Sequence, residues 1–307
     1  MERIAVLCGG VGAARFLSGL VDVADSAGIT AIVNVADDDE FHGLHVSPDI
    51  DTVLYTLGGL VHEEQGWGRR DETFTAQTEL ARLGEDAWFR LGDRDLAMHI
   101  HRTRLLREGR SLTEVVDGVR RALGIRASVL PATDGIQRTR VRTDAGWIGF
   151  QEYFVKRRTA DDVRELRFEP EAAPTDAVRA AIAEADIIVI APSNPFVSIG
   201  PILSLTGLRD DIHGARATVV AVSPIVGGAA IKGPAAAMLA AFGHDVSALG
   251  VARLYANIAD AFVLDTEDAA LAPAIEKLGL TPSVVPTMMR DRETRADLAR
   301  STVAAAR

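Results

Sequence analysis

The sequence predicts an α/β fold: a doubly wound, mostly parallel Rossmann-like sheet with a mainly helical insert and a β-hairpin. Three observations carry this. Residues 3–8 form a strand-like run that turns through Gly9-Gly10-Val11-Gly12 into a helical pattern. The far half alternates continuous β-branched runs with helical segments, the pattern of a parallel sheet covered on both faces. The middle breaks that rhythm with helical patterns and one alternating pair of strands.

Along the chain, Phe16, Leu17, Leu20 and Val23 fall at helical spacing within 13–23. A second strand over 30–35 runs into Asn34 to Asp51, where six acidic side chains and two histidines sit in eighteen residues. The next helix is expected over 48–57, with Ser47 at its N-cap and Pro48 at its first position. Segments 73–83 and 112–123 also read as helices. Residues 138–142 and 146–155 alternate around Asp144-Ala145-Gly146, which predicts a hairpin. Buried strands are expected at 186–191, 217–222, 248–252 and 261–264, with helices at 201–208 and 234–242. From about residue 294 the chain reads as a solvated helix or a frayed tail. The core is thus expected to comprise 1–46 and 171–307, and 47–170 an insert covering the active site.

Composition narrows the function. The chain has 307 residues, 48% apolar and 25% charged, enough for one large domain or one with a sizeable insert. A net charge of −10 argues against nucleic acid or an anionic membrane as partner. Cys8 is the single cysteine, so neither an internal disulfide nor a zinc cluster is expected, and it reads as a small buried residue at a strand end. No apolar stretch approaches the roughly 20 residues that span a bilayer. With a strand at the very start, no leader is expected, and the location expected is cytoplasmic.

Three turns are candidates for binding an anion. Gly9, Gly10 and Gly12 remove side chains where a strand meets a helix, so backbone N–H groups can face a phosphate, although a plain tight turn has the same composition. Arg15 stands where a dinucleotide fingerprint needs its third glycine, and the Gly-Lys-Ser/Thr of a P-loop is absent. Arg15 either supplies charge to a phosphate or lies on the helix surface. The second turn, Ala191 to Pro195, offers Ser193 and Asn194, with Ser198 just beyond. The third runs from Ser223 through Gly227 and Gly228 to Lys232. All three follow strands, at the carboxyl edge where ligands bind in this architecture.

The acids have two readings. Asp49 and Asp51, in the first turn of a helix, favour its dipole and can simply face water. Asp37, Asp38 and Asp39, just past a strand beside a phosphate cradle, make more sense if Mg²⁺ bridges carboxylate to phosphate. His42 and His45 read as loop or hydrogen-bonding groups rather than ligands. Further on, Trp88 to Asp95 (WFRLGDRD) either stacks and binds a ligand or belongs to core and surface. Trp88 suits a flat heterocycle. Arg94 can fork onto a phosphate or ring oxygens, or form surface salt bridges with Asp93 and Asp95.

Together GGVGAARFL, NVADDDEFHGLHVSPDIDTVLYTLGG, WFRLGDRDLAMHIHRT, PSNPFVSIGPIL and VSPIVGGAAIKGPA resemble the 2-phospho-L-lactate transferase family of coenzyme F-420 biosynthesis. The acidic stretch is similar to its actinobacterial, phosphoenolpyruvate-using branch. The resemblance implies transfer of a phospholactyl or phosphoenolpyruvyl group from a guanosine diphosphate-linked donor to the ribityl hydroxyl of the deazaflavin Fo. It also implies GMP as leaving group, Mg²⁺ as cofactor, and a homodimer. It makes Asp51 and Arg94 the deazaflavin-binding pair, with Trp88, Gly92 and Asp93 beside them. On that footing Asp37 and Asp49 are expected to hold the metal, and Asp51, Asp37 and Arg94 to be catalytic. The diphosphate would lie against Gly9, Gly10, Gly12, Ser193, Asn194, Ser198, Gly227 and Lys232. The rival reading is a non-catalytic regulator of related fold that binds nucleotide sugars; an NAD-dependent oxidoreductase is disfavoured by Arg15.

Overall fold

The computed structural model describes residues 2–231 and 233–307, so the expectation for Lys232 lies outside the described residues. β1 (Ile4–Cys8) passes directly into α1 (Gly10–Val23), and β2 (Ile29–Val33) follows. A small hairpin, β3 (Asp39–Phe41) and β4 (Leu44–Val46), delivers the chain to α2 (Pro48–Leu57). Next come α3 (Thr75–Arg82), α4 (Asp93–Arg107), α5 (Leu112–Ala122) and β5 (Ser128–Pro131). β6 (Arg138–Thr143), β7 (Gly146–Gly149) and β8 (Glu165–Glu169) form a separate antiparallel sheet. The remaining chain runs α6 (Asp176–Ala183), β9 (Ile187–Ile190), α7 (Gly200–Leu203), α8 (Leu208–Gly214) and β10 (Thr218–Val222). It ends with the hairpin β11 (Ile225–Val226) and β12 (Ala229–Ala230), then α9 (Ala235–Ala241), α10 (Ala248–Tyr255), β13 (Ala261–Leu264), α11 (Ala272–Glu276), β14 (Thr281–Val284) and α12 (Arg292–Ala304).

Seven strands form one parallel sheet in the order β14-β13-β10-β9-β1-β2-β5. β1 is central, with Leu7 opposite Ile32 on one side and Ile190 on the other. Its side chains alternate between two cores: Ile4, Val6 and Cys8 pack toward α1, α2, α5 and α12, Ala5 and Leu7 toward α6 to α11. Both faces being covered explains why these strands read as unbroken apolar runs. From β1 the order proceeds outward one way to β2 and β5, and from β9 the other way to β14. The reversal between β1 and β9 opens a crevice at their carboxyl ends, the ligand position for such sheets.

Three expectations need correction, and one helix was not expected. Residues 248–252, expected as a strand, belong to helix α10, capped by Ser247, whose hydroxyl accepts from Gly250 N–H. Short apolar runs do not distinguish the two periods. The C-terminal segment is a helix, one of its two expected forms, but not a fully solvated one: α12 buries Leu298, Ala299 and Val303 in the core beside α1. The boundary at residue 47 does not follow the sheet, because β5 pairs with β2 and α5 joins the same core, so part of 47–170 is core. Finally, α4 had no sequence-based counterpart. Its inward face carries His99, Arg102 and Thr103 instead of an apolar stripe, so hydrophobic periodicity passes over it.

Candidate active site at the switch point

The turns after β1 and β9 interlock at the crevice. Ser193 Oγ donates to Gly9 O at 2.9 Å. A Cβ at Gly12 would stand 2.3 Å from Pro192 O, and one at Gly9 2.6 Å from Asp49 Oδ2 and 2.9 Å from Ser198 Cβ. The glycines therefore let three segments meet: the start of α1, the turn after β9, and the first turn of α2. Asn194 is partly committed elsewhere, its Oδ1 accepting from Phe196 and Val197 N–H at 2.9 and 3.3 Å. The third expected turn is engaged too, because Gly227 N–H donates to Asp268 Oδ2 at 3.1 Å.

The acids do not face water: Asp37, Asp38, Asp49 and Asp51 are all at most 7% exposed. Asn34, at the end of β2, donates to Asp49 Oδ2 at 3.0 Å and to Val197 O at 3.3 Å, tying α2 to the turn after β9. Thr139 of β6 donates to Asp37 Oδ1 at 3.3 Å, while Gln151 donates to Asp37 O at 2.8 Å. Asp38 accepts from Ser47 Oγ at 2.7 Å and lies 2.9 Å from His45 Nε2. Ser47 thus spends its hydroxyl on Asp38 instead of capping α2.

Burial raises Asp37 well above the usual carboxylate range, with Asp49 and Asp38 adding to it. Burial likewise pushes Asp49 up to about 6; the Asn34 amide and Gly10 N–H oppose this, and Asp38 reinforces it. Crowded buried carboxylates hold protons unless a cation replaces them. Asp38 Oδ1 is also buried without a partner. Among the described residues no group of three or more His, Cys, Asp and Glu is disposed to hold a metal alone. Two carboxylates completed by phosphate and water oxygens suit Mg²⁺, so Asp37 and Asp49 fit it.

A second cluster lies on the other face of α2. Arg102, 1% exposed, forks onto both oxygens of Asp51, with Nη1 at 3.1 Å from Oδ2. Arg102 Nη1 also donates to His45 O at 3.4 Å, linking this cluster to the Asp38 group. His99 Nδ1 stands 3.8 Å from Asp51 Oδ2. Burial lowers His99 to about 4, overcoming the pull of Asp51, so the ring is neutral at pH 7. Asp95, His99 and Arg102 recur at i, i+4 and i+7, one stripe of α4.

Of the two residues expected to bind the deazaflavin, Asp51 is held by Arg102, while Arg94 is exposed in the first turn of α4. Asp93 is structural: it accepts from Thr73 Oγ1 at 2.6 Å and from Thr75 and Ala76 N–H at 3.1 and 2.9 Å, capping α3. Glu72 returns the service to α4, accepting from Arg94 and Asp95 N–H at 2.7 and 3.2 Å, with Gly92 packed on its side chain. Trp88 is half-buried, edge-on to Phe41 and Phe89, with Lys156 Nζ 5.3 Å from its ring centre.

Asn34, Arg102, Thr139 and Gln151 were not among the expected site residues. Arg102 stands in a polar run that gave no apolar spacing to place it; Thr139 and Gln151 carry no local signal, since the small sheet and the segment after it bring them in across about a hundred residues.

Comparison with known proteins follows the same line. The family model described as 2-phospho-L-lactate transferase (CofD) matches residues 4–295. A protein of Streptomyces griseus named phosphoenolpyruvate transferase is 45% identical over 97% of this chain and 96% of its own. One of Methanothermobacter thermautotrophicus named 2-phospho-L-lactate transferase is 40% identical over 97% of this chain and 96% of its own. Among solved structures, protein BH3568 of Bacillus halodurans superposes with a TM-score of 0.66, covering 98% of this chain and 99% of that one. At 19% identity that likeness bears on the fold alone.

Proposed function

The chain belongs to the 2-phospho-L-lactate transferase family, and from that premise we propose its reaction. It transfers a phosphoenolpyruvyl group from a guanosine diphosphate-linked donor to the ribityl hydroxyl of Fo, releasing GMP, within coenzyme F-420 biosynthesis. Enolpyruvate is preferred to lactate because Streptomyces relatives named for it stand at 44–45% identity, against 40% for the archaeal protein named for phospholactate. The observation that carries the reading is the meeting of Asp49, with Asp37 beside it, and the interlocked glycine and serine turns at the sheet reversal.

In this reading Mg²⁺ is held by Asp37 and Asp49, and when bound it neutralises charge on the diphosphate and on departing GMP. The chain does the positioning. Gly9, Gly10 and Gly12 let the diphosphate approach the start of α1, and Ser193 and Ser198 close the opposite side. Thr139, Gln151 and Asn34 hold the acids in place. Asp51, fixed by Arg102, orients the ribityl tail, and exposed Arg94 reaches the ring oxygens.

Incubating the purified protein with Fo, Mg²⁺ and the guanosine-linked donor should release GMP in step with loss of Fo. No GMP, together with tight nucleotide-sugar binding, would instead favour the non-catalytic regulator.

A further inference from the structure

Resting on the reading of Asp37 and Asp49 as the Mg²⁺ carboxylates, we propose that Asp38 and His45 are positioning residues that set those two acids for the metal. Asp37 and Asp49 come from different segments, the turn after β2 and the first turn of α2. Mg²⁺ demands near-ideal octahedral geometry, so how firmly the two segments are held together governs its affinity. Asn34 supplies one tie, from the end of β2 to Asp49 Oδ2. Asp38 supplies the second. Its N–H donates to Val35 O at 3.1 Å, closing the turn that carries Asp37. Its Oδ2 accepts from Ser47 Oγ at 2.7 Å, two residues before Asp49. Oδ1 has no hydrogen-bond partner, so this tie runs through one oxygen.

His45 braces that oxygen. Its Nε2 lies 2.9 Å from Asp38 Oδ2 and 3.1 Å from Ser47 Oγ. A carboxylate only accepts, so Nε2 carries the proton of the bond to Asp38. The residue is itself fixed from α4, and by its backbone. His45 N–H donates to Thr103 Oγ1 at 2.8 Å, and His45 O accepts from Arg102 Nη1 at 3.4 Å. A substitution at 45 leaves both groups in place and removes only the ring. Ser47 makes no side-chain cap to α2, so its hydroxyl serves the tie alone. Groups standing one step behind metal ligands hold them in position, and losing one typically costs about 10–100-fold in metal affinity.

The test measures Mg²⁺ affinity by calorimetry on protein saturated with GDP, and Fo affinity by fluorescence, for wild type, His45→Leu, His45→Gln and Ser47→Ala. His45→Leu should weaken Mg²⁺ about tenfold or more while Fo affinity stays within about threefold. His45→Gln can present its amide nitrogen to Asp38 and should recover most of the lost Mg²⁺ affinity. Ser47→Ala removes the other donor without losing a helix cap, so it should weaken Mg²⁺ in the same direction. It carries the test should His45→Leu misfold. Unchanged Mg²⁺ affinity in His45→Leu (or, should that variant misfold, in Ser47→Ala) overturns the positioning role alone. So does a His45→Gln as weak as His45→Leu, or an equal loss of Fo affinity. A wild-type protein that binds no Mg²⁺ in the presence of GDP overturns the metal site itself.

Discussion

Arg102 joins α4 to α2 by placing both ends of its guanidinium on the two carboxylate oxygens of Asp51, with each side chain almost wholly buried. A buried ion pair adds little net stability over an apolar pair, but breaking it on one side strands a charge. Arg102→Leu should therefore cost about 3–5 kcal/mol. Adding Asp51→Asn to it should restore most of that loss. Urea denaturation of the four proteins in this cycle checks the coupling, and additive losses would show that the pair is not a unit.

Asp49 behaves oppositely. Its carboxyl is raised to about 6 in the fold from 3.8, so folding is favoured as pH falls through that window and disfavoured above it. At pH 8 the ionised group costs on the order of 1–3 kcal/mol, taking ~1.4 kcal/mol per unit. Asp49→Asn should thus raise the melting temperature without added metal, while Mg²⁺-supported GMP release is lost. A variant that melts lower and stays active would remove Asp49 from the metal site.

His99 sets an acid limit. Its folded value of about 4 lies below the usual 6.5, so the stability tied to the neutral ring is complete above 6.5 and drains as pH falls toward 4. Between pH 6.5 and 4.5, wild type should lose more stability than His99→Asn, measured by denaturant midpoint. Parallel curves would show that His99 is not the group responsible.

Gly12 tests the interlocked turns. Gly12→Ala puts a methyl 2.3 Å from Pro192 O, a backbone atom that cannot swing away. The turns after β1 and β9 should separate, weakening GDP binding at least tenfold in calorimetry. Fo binding, proposed to lie at the Asp51 cluster, should change much less; equal losses of both would indicate general unfolding.

Much of the fold was readable because its signals are local. The glycine turn at 9–12, the Pro48 helix start, and the runs at 187–190, 218–222 and 261–264 each declare themselves within a few residues. The same locality failed at α4, whose buried residues are His99, Arg102 and Thr103, and at 248–252, where an apolar run fits either period. β5 was missed as a core strand because its four residues, only alternately buried, lie within the region 47–170 read as an insert that interrupts the core.

Sequence alone determined the fold class, most of the sheet strands, the family, and the acids, glycines and serines of the proposed phosphate and metal site. Only the tertiary structure decided how those groups divide. It set Asp49 against the glycine turn, Asp37 against Thr139 and Gln151, and Asp51 against Arg102. It also spent Asp93 and Gly227 on capping and on a hydrogen bond to Asp268. The reason is physical: a carboxylate's partner depends on which distant segment packs against its helix face, and residue type at a single position carries no record of that.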